Sequence, residues 1–175
     1  MKIPSLRAFA AISAFAVTAF GVATTAAHAN AIEIGSPAPS WKLTDMSGKT
    51  ISSDDFKGKV VVVDFWATWC PPCVGEIPGY VELQKKYADQ GLVFVGLSVD
   101  QGGPDVVNKF VADHHLNYDV ALADEKTESA FGGFEAIPTT FVIDRTGHIA
   151  NMKTGAMPRA AFEMVLEPLL KAPAK

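Results

Sequence analysis

The run Val60-Val61-Val62-Val63-Asp64-Phe65-Trp66 is apolar at every position but Asp64, and its β-branched and aromatic residues follow one another without polar alternation. A strand of that kind needs cover on both faces, so it predicts the centre of a sheet with packed layers on either side. Pro71 and Pro72 follow shortly after it. A helical pattern then runs from Cys73 to Ala88 with Val74, Ile77, Val81 and Tyr87 or Ala88 on one face. Pro78 lies inside that pattern and is expected to kink it. Gly91 closes the helix, and Leu92 to Val99 reads as a second buried strand. Next come a helix over Asp105 to His114, a short strand near Tyr118 to Ala121 and a helix from about Glu125 to Phe131. Pro138 opens a strand through Ile143, Thr146-Gly147 turns the chain, Ile149 to Thr154 returns antiparallel, and a helix covers Arg159 to Lys171. Upstream, Trp41 to Thr44 and Thr50-Ile51 flank a Ser47-Gly48 turn as a short hairpin. Ser52 or Ser53 caps a single turn through Phe56, ended by Gly58. Strands alternating with helices and closed by a hairpin and a helix give an α/β fold with a mixed central sheet.

The chain has 175 residues and no repeat, charge block or low-complexity linker, which fits one domain on the ~150-residue prior. Its beginning is set apart. Lys2 and Arg7 precede an uncharged stretch over residues 8 to 27 that ends in Ala27-His28-Ala29, the small-x-small form a signal peptidase accepts. The expectation is a cleaved secretory signal over residues 1–29 and a domain over 30–175. The rival is a retained membrane anchor, since about 20 uncharged residues are long enough to span a bilayer. Without Lys2 and Arg7, 13 basic residues face 19 acidic ones, a net charge of −6. An acidic domain lacking a basic stripe argues against nucleic acid as a partner.

The two cysteines, Cys70 and Cys73, form one CxxC pair. A disulfide-stapled mini-protein needs more cysteines. A structural zinc site needs about four ligands, and His114, His115 and His148 are not suitably spaced. A c-type haem site needs His after the second cysteine, where Val74 stands. Crosslinking so short a loop removes little unfolded-state entropy, which leaves redox chemistry as the reading. At a helix N-terminus the free N–H groups and the macrodipole favour an anion, and such placement lowers a thiol pKa. Cys70 is therefore expected as the attacking thiolate and Cys73 as the resolving thiol, on a loop stiffened by two prolines.

The segment from Val63 through Trp69-Cys70-Pro71-Pro72-Cys73 resembles the active-site strand and turn of the thioredoxin superfamily, and Ile137-Pro138-Thr139 resembles its cis-proline loop. The pattern Gly35-Ser36-Pro37-Ala38-Pro39, Leu43-Thr44-Asp45, Gly48 and Phe56-Lys57-Gly58-Lys59-Val60 is similar to exported thiol-disulfide oxidoreductases of the TlpA/ResA/CcmG type. Asp100 and Pro138 lie 38 positions apart, room for the extra helix and strand that family inserts. The resemblance implies a thioredoxin-like fold with an N-terminal hairpin extension. It places Pro138 in a cis peptide facing Cys70, free to pair with a partner's extended chain. Asp64 takes the place of the family's buried acid, with a raised pKa and the Cys73 proton to accept. Thioredoxin pairs that acid with a lysine on the next strand, whereas Val95-Gly96-Leu97 here contains none.

Glu76, one helical turn beyond Cys73, matches an acid that tunes the cysteines in the ResA type, and equally fits a solvated first-turn acid favoured by the helix dipole. Trp66 reads as packing and Trp69 as an exposed rim that contacts partners, beside Ile137 and Pro138. Phe65, Phe94, Phe110, Phe131, Phe141 and Phe162 read as core, the His114-His115 pair as a solvated helix end, and Thr154-Gly155-Ala156-Met157 as the turn beside the cis-proline.

The expected activity is reduction of protein disulfides by an exported monomer that uses no cofactor or metal. Its dithiol would be regenerated by a membrane thiol transporter of the DsbD/CcdA kind. Apocytochrome c thiols and proteins of cytochrome oxidase copper assembly are the substrates the resemblance implies. A peroxidase of the peroxiredoxin type is a rival, but its Thr-x-x-Cys signature meets Ala67 here. A copper-binding assembly module calls for CxxxC and a histidine ligand.

Overall fold

A computed structural model describes residues 32–173, and the expected signal over residues 1–29 lies outside them. The chain forms strands β1 (Lys42–Thr44), β2 (Thr50–Ser52), β3 (Val60–Trp66), β4 (Leu92–Ser98), β5 (Asp119–Leu122), β6 (Thr139–Ile143) and β7 (Ile149–Thr154). The helices are α1 (Pro71–Tyr87), α2 (Pro104–Asp113), α3 (Glu125–Ala130) and α4 (Arg159–Lys171). β1 and β2 pair as the expected hairpin, and the main sheet has the order β5-β4-β3-β6-β7. β3 sits at its centre, buried at every position, parallel to β4 and antiparallel to β6. This is the mixed-sheet α/β fold of the thioredoxin-like class.

Alternate residues of β3 serve different layers, as the pleat requires. Val60 and Val62 pack with Phe94, Tyr80, Leu83, Phe162 and Leu166 beneath α1 and α4. Val61, Val63 and Phe65 pack on the other face with Trp41 and Leu43 of the hairpin, Phe131 and Phe141. Trp66 ends the strand in a third cluster with Cys73, Ile77, Val107 and Val120, which brings the α2–β5 insert up to the redox turn.

Two details of α1 differ from the sequence reading. The helix begins at Pro71, with Cys70 as its N-cap, because a proline at N1 loses no intrahelical bond. Its buried face is Cys73, Glu76, Ile77, Tyr80, Leu83 and Tyr87. Val74 and Val81 lie half-buried at the edge and Ala88 is exposed. Ile77 and Tyr87 are inward as expected, and the stripe is turned because Glu76 and Tyr80, polar by type, also occupy inward positions. The helix runs from Pro71 to Tyr87 with Pro78 inside it, where the ring offers no N–H to the Val74 carbonyl.

Candidate active site

β3 ends at Trp66, and Ala67-Thr68-Trp69 carries the chain to the N-terminus of α1. Cys70 and Cys73 are joined there in a disulfide. The backbone N–H of Cys73 points at Cys70 Sγ at 3.3 Å, since Pro71 and Pro72 have no N–H to offer. Cys70 is 4% and Cys73 1% exposed, which leaves Cys70 as the outer sulfur. The turn is fixed by an acid that sequence reasoning passed over. Asp100, buried just beyond β4, accepts hydrogen bonds from Thr68 N–H at 2.9 Å, from the Thr68 hydroxyl at 2.6 Å and from the Ser98 hydroxyl at 2.8 Å.

The Ile137–Pro138 peptide is cis, as the resemblance implies. The carbonyl oxygen of Ile137 lies 3.8 Å from Cys70 Sγ, so this loop closes over the disulfide. The Pro138 carbonyl accepts from Gly155 N–H at 2.8 Å, and the Thr139 hydroxyl donates to the Ala136 carbonyl at 2.7 Å. Gly155 has φ of 84°, a left-handed conformation that suits glycine, so the Thr154–Met157 turn and the cis-proline loop brace each other. Trp69, next to Cys70 in the chain, stands 66% exposed, whereas Trp66 is buried against Phe110. Phe110 itself is half-buried, and its outer face stacks on exposed His114 at 4.0 Å between ring centroids.

Asp64 lies on the strand that feeds the turn, 5% exposed, with the Thr140 hydroxyl donating to its Oδ1 at 2.7 Å. Burial raises its pKa to about 7, against opposing effects of the Thr140 hydrogen bond and of nearby Lys153. Such a carboxyl group can exchange a proton near neutral pH. No lysine reaches it from β4. Asp64 is in register with Gly96, and a Cβ on Gly96 would meet Trp66 Nε1 at 2.9 Å, so a side chain there is excluded by the indole. The cation comes from β7, two strands away from β3 on the side away from β4 and on the same face. Thr140 pairs with Asp64 on one side and with Lys153 on the other.

Glu76 is not the solvated first-turn acid that was one of its readings. Its side chain is 5% exposed, and its Oε1 accepts from Lys153 Nζ and from Met157 N–H, each at 2.9 Å. Lys153 is itself 8% exposed in its side chain and also donates to the Gly155 carbonyl at 2.9 Å. The Tyr80 hydroxyl is buried nearby, its pKa raised first by burial and then by the negative charge of Asp64 and Glu76. Tyr80 and Lys153 were not singled out in the sequence, because their approach depends on strand register and helix phase. Among the described residues no group of His, Cys, Asp and Glu is arranged to hold a metal ion. None of the described helices is long and apolar enough to cross a membrane.

The chain matches the AhpC/TSA family over residues 34–152. It is 36% identical to the thiol-disulfide oxidoreductase ResA of Bacillus thuringiensis over 136 residues, covering 78% of each chain. It is 35% identical to the thioredoxin-like protein YneN of Bacillus subtilis, covering 78% of this chain and 80% of that one. Among solved structures, a thiol:disulfide interchange protein of the thioredoxin family from Chlorobium tepidum superposes with a TM-score of 0.73 at 36% identity. That match covers 80% of this chain and 99% of the other.

Proposed function

The chain belongs to the AhpC/TSA family and is one of its ResA-like thiol-disulfide oxidoreductases, and from that premise we propose that it is an exported reductant of protein disulfides. The observation that carries the exchange chemistry is a redox pair built onto a helix N-terminus, with a buried carboxyl group of near-neutral pKa on the strand leading into it. In the reduced protein the Cys70 thiolate attacks one sulfur of a substrate disulfide, forming a mixed disulfide and releasing the first substrate thiolate. Cys73 then gives its proton to the Asp64 carboxylate and attacks Cys70 Sγ. The mixed disulfide breaks, the second substrate thiolate leaves, and two electrons have passed from the protein to the substrate.

The substrate segment lies in extended form along Ile137-Pro138, whose backbone faces Cys70, with Trp69 covering its apolar side chains. Glu76 is a positioning residue here: it ties α1 to the Met157 backbone. The protein works as a monomer, without cofactor or metal. Its dithiol is restored by a membrane thiol transporter of the DsbD/CcdA kind, and its substrates are disulfides formed by the thiols of apocytochrome c or of proteins of cytochrome oxidase copper assembly. The expected signal over residues 1–29, cleaved or retained as an anchor, places it outside the cytoplasm, where such exchange takes place.

Equilibration with glutathione tests the direction. A reduction potential below about −200 mV is expected, and a value near the ~−120 mV of a strong oxidant overturns the reductant reading. Peroxide should not be consumed at a useful rate. Position 67, where a peroxidase signature needs threonine, is the fully buried methyl group of Ala67.

A further inference from the structure

Gly96, Asp64, Thr140 and Lys153 form one row across four strands, β4, β3, β6 and β7, with Asp64 in register with Gly96 and Thr140, and Thr140 with Lys153. Residues in register share a face of the sheet, so all of them look toward α1 and α4. The β4 end of the row is closed by the Trp66 indole over Gly96. The β7 end is open to a long side chain, and Lys153 uses it: its ammonium lies 2.9 Å from Glu76 Oε1 and from the Gly155 carbonyl, above the Phe162 ring.

We propose that Lys153 is the buried cation of this redox site, a positioning residue that pairs with Glu76, holds it against the loop after β7, and so sets the charge felt by Asp64, the carboxyl group that exchanges a proton. Stability does not account for the pair. Removing two charges from water costs as much as their attraction returns, and Glu76 Oε2 and the Tyr80 hydroxyl have no hydrogen-bond partner among the described residues. The arrangement instead separates the roles of two neighbouring acids. Glu76 faces an ammonium and an amide, whereas Asp64 faces one hydroxyl. The same ammonium links the redox helix to the cis-proline loop. It binds Glu76 on the redox helix and the Gly155 carbonyl, and Gly155 N–H in turn holds the Pro138 carbonyl.

The groups able to shift Asp64 are few. α1 presents Glu76, Tyr80 and the cysteine pair, the segment before β5 presents Tyr118, and β7 presents Lys153. β4 and β6 offer Gly96 and the Thr140 hydroxyl, which carry no charge. α4 offers the Phe162 ring, and its Arg159 is engaged outside the cluster with Glu82 and Glu163.

The inference rests on Asp64 as the base, and the test separates the two. Side-chain carboxyl carbons are followed by NMR through a pH titration of the oxidised full chain, with Asp64→Asn identifying the signal. Lys153→Met leaves the Glu76 charge unbalanced and is expected to raise the Asp64 midpoint, by about one pH unit for a lost opposite charge. Glu76→Gln leaves the Lys153 charge unbalanced and is expected to lower it. The double variant should return close to the parent and Lys153→Arg should restore it. In single-turnover reduction of a disulfide-bonded peptide, Lys153→Met should slow product release at neutral pH about fivefold, as the carboxylate fraction of Asp64 falls, and move its pH profile the same way. Asp64 midpoints unmoved by the single variants, or moved in the same direction by both, overturn the inference. Midpoints that move as expected while Asp64→Asn leaves product release unchanged overturn the base and spare the cation. If Lys153→Met does not fold, the downward shift in Glu76→Gln and the recovery in Lys153→Arg still decide it.

Discussion

Asp64→Asn should make the oxidised protein more stable in alkaline solution than in acid, relative to the parent. The carboxyl group is 5% exposed and its pKa is raised to about 7, chiefly by burial. In the unfolded chain an aspartate titrates near ~3.9. Because the folded value is the higher one, the neutral acid costs nothing extra below the unfolded pKa. The stabilisation it represents is then lost as pH rises through about 7. A difference of roughly 3 pH units at ~1.36 kcal/mol each puts the full loss at about 4 kcal/mol above neutrality. An asparagine keeps the acceptor that the Thr140 hydroxyl uses at 2.7 Å. It adds an amide group needing its own partner, a cost of about 1–3 kcal/mol that does not depend on pH.

Urea unfolding of the oxidised parent and variant, followed by tryptophan fluorescence from pH 4 to 8.5, isolates the effect. Asp45, Asp124 and Asp144, whose pKa values are lowered by hydrogen bonds in the fold, destabilise both proteins equally in acid and cancel in the difference. The difference should move in favour of the variant between pH 4 and 8, by an amount on the order of 4 kcal/mol, and level off above that. A difference flat within ~0.5 kcal/mol over this range would refute the reasoning, because it would mean that Asp64 titrates alike in the folded and unfolded chain.

Other consequences are simpler to state. Asp100→Ala removes the acceptor for three hydrogen bonds that fix Thr68 and Ser98. It should cost about 1–3 kcal/mol in thermal or urea unfolding and lower single-turnover reduction by loosening the turn that presents Cys70. Gly96→Ala places a methyl group 2.9 Å from Trp66 Nε1, an overpacking expected to cost about 1–3 kcal/mol in the same assays. Trp69→Ala leaves stability within about 0.5 kcal/mol of the parent, as an exposed side chain should. It should raise KM for protein disulfides more than for glutathione disulfide, which touches less of the rim.

Those effects fall on features of very different legibility. β3 and α4 occupy the residues expected of them, Val60–Trp66 and Arg159–Lys171. An unbroken apolar strand has one environment that satisfies it, and the last helix carries its signal in Phe162, Leu166 and Leu170 on one face. The hairpin and the redox turn were equally readable, because prolines, glycines and short turns are local features, whereas the cis peptide at Pro138 followed from the resemblance of Ile137-Pro138-Thr139. The inward face of α1 was misjudged for the opposite reason. Its stripe keeps Ile77 and Tyr87 as expected but also contains Tyr80, whose ring is buried while its hydroxyl is polar, and Glu76, which tolerates burial through a partner 77 positions away.

That partner shows where a linear reading stops. The absence of lysine from Val95-Gly96-Leu97 is a local fact, and its cause is that the Trp66 indole fills the space above Gly96. The presence of a lysine in the cluster is a fact of sheet order, because Lys153 reaches it only where β7 lies beside β6 and β6 beside β3. A search for the missing cation along β4 therefore finds nothing, while the row perpendicular to the strands runs from Gly96 through Asp64 and Thr140 to Lys153. Charge in this site is conveyed across the sheet, and any relative with a bulky residue at the end of its central strand and a glycine beside it is expected to draw its cation from the β7 side or to have none.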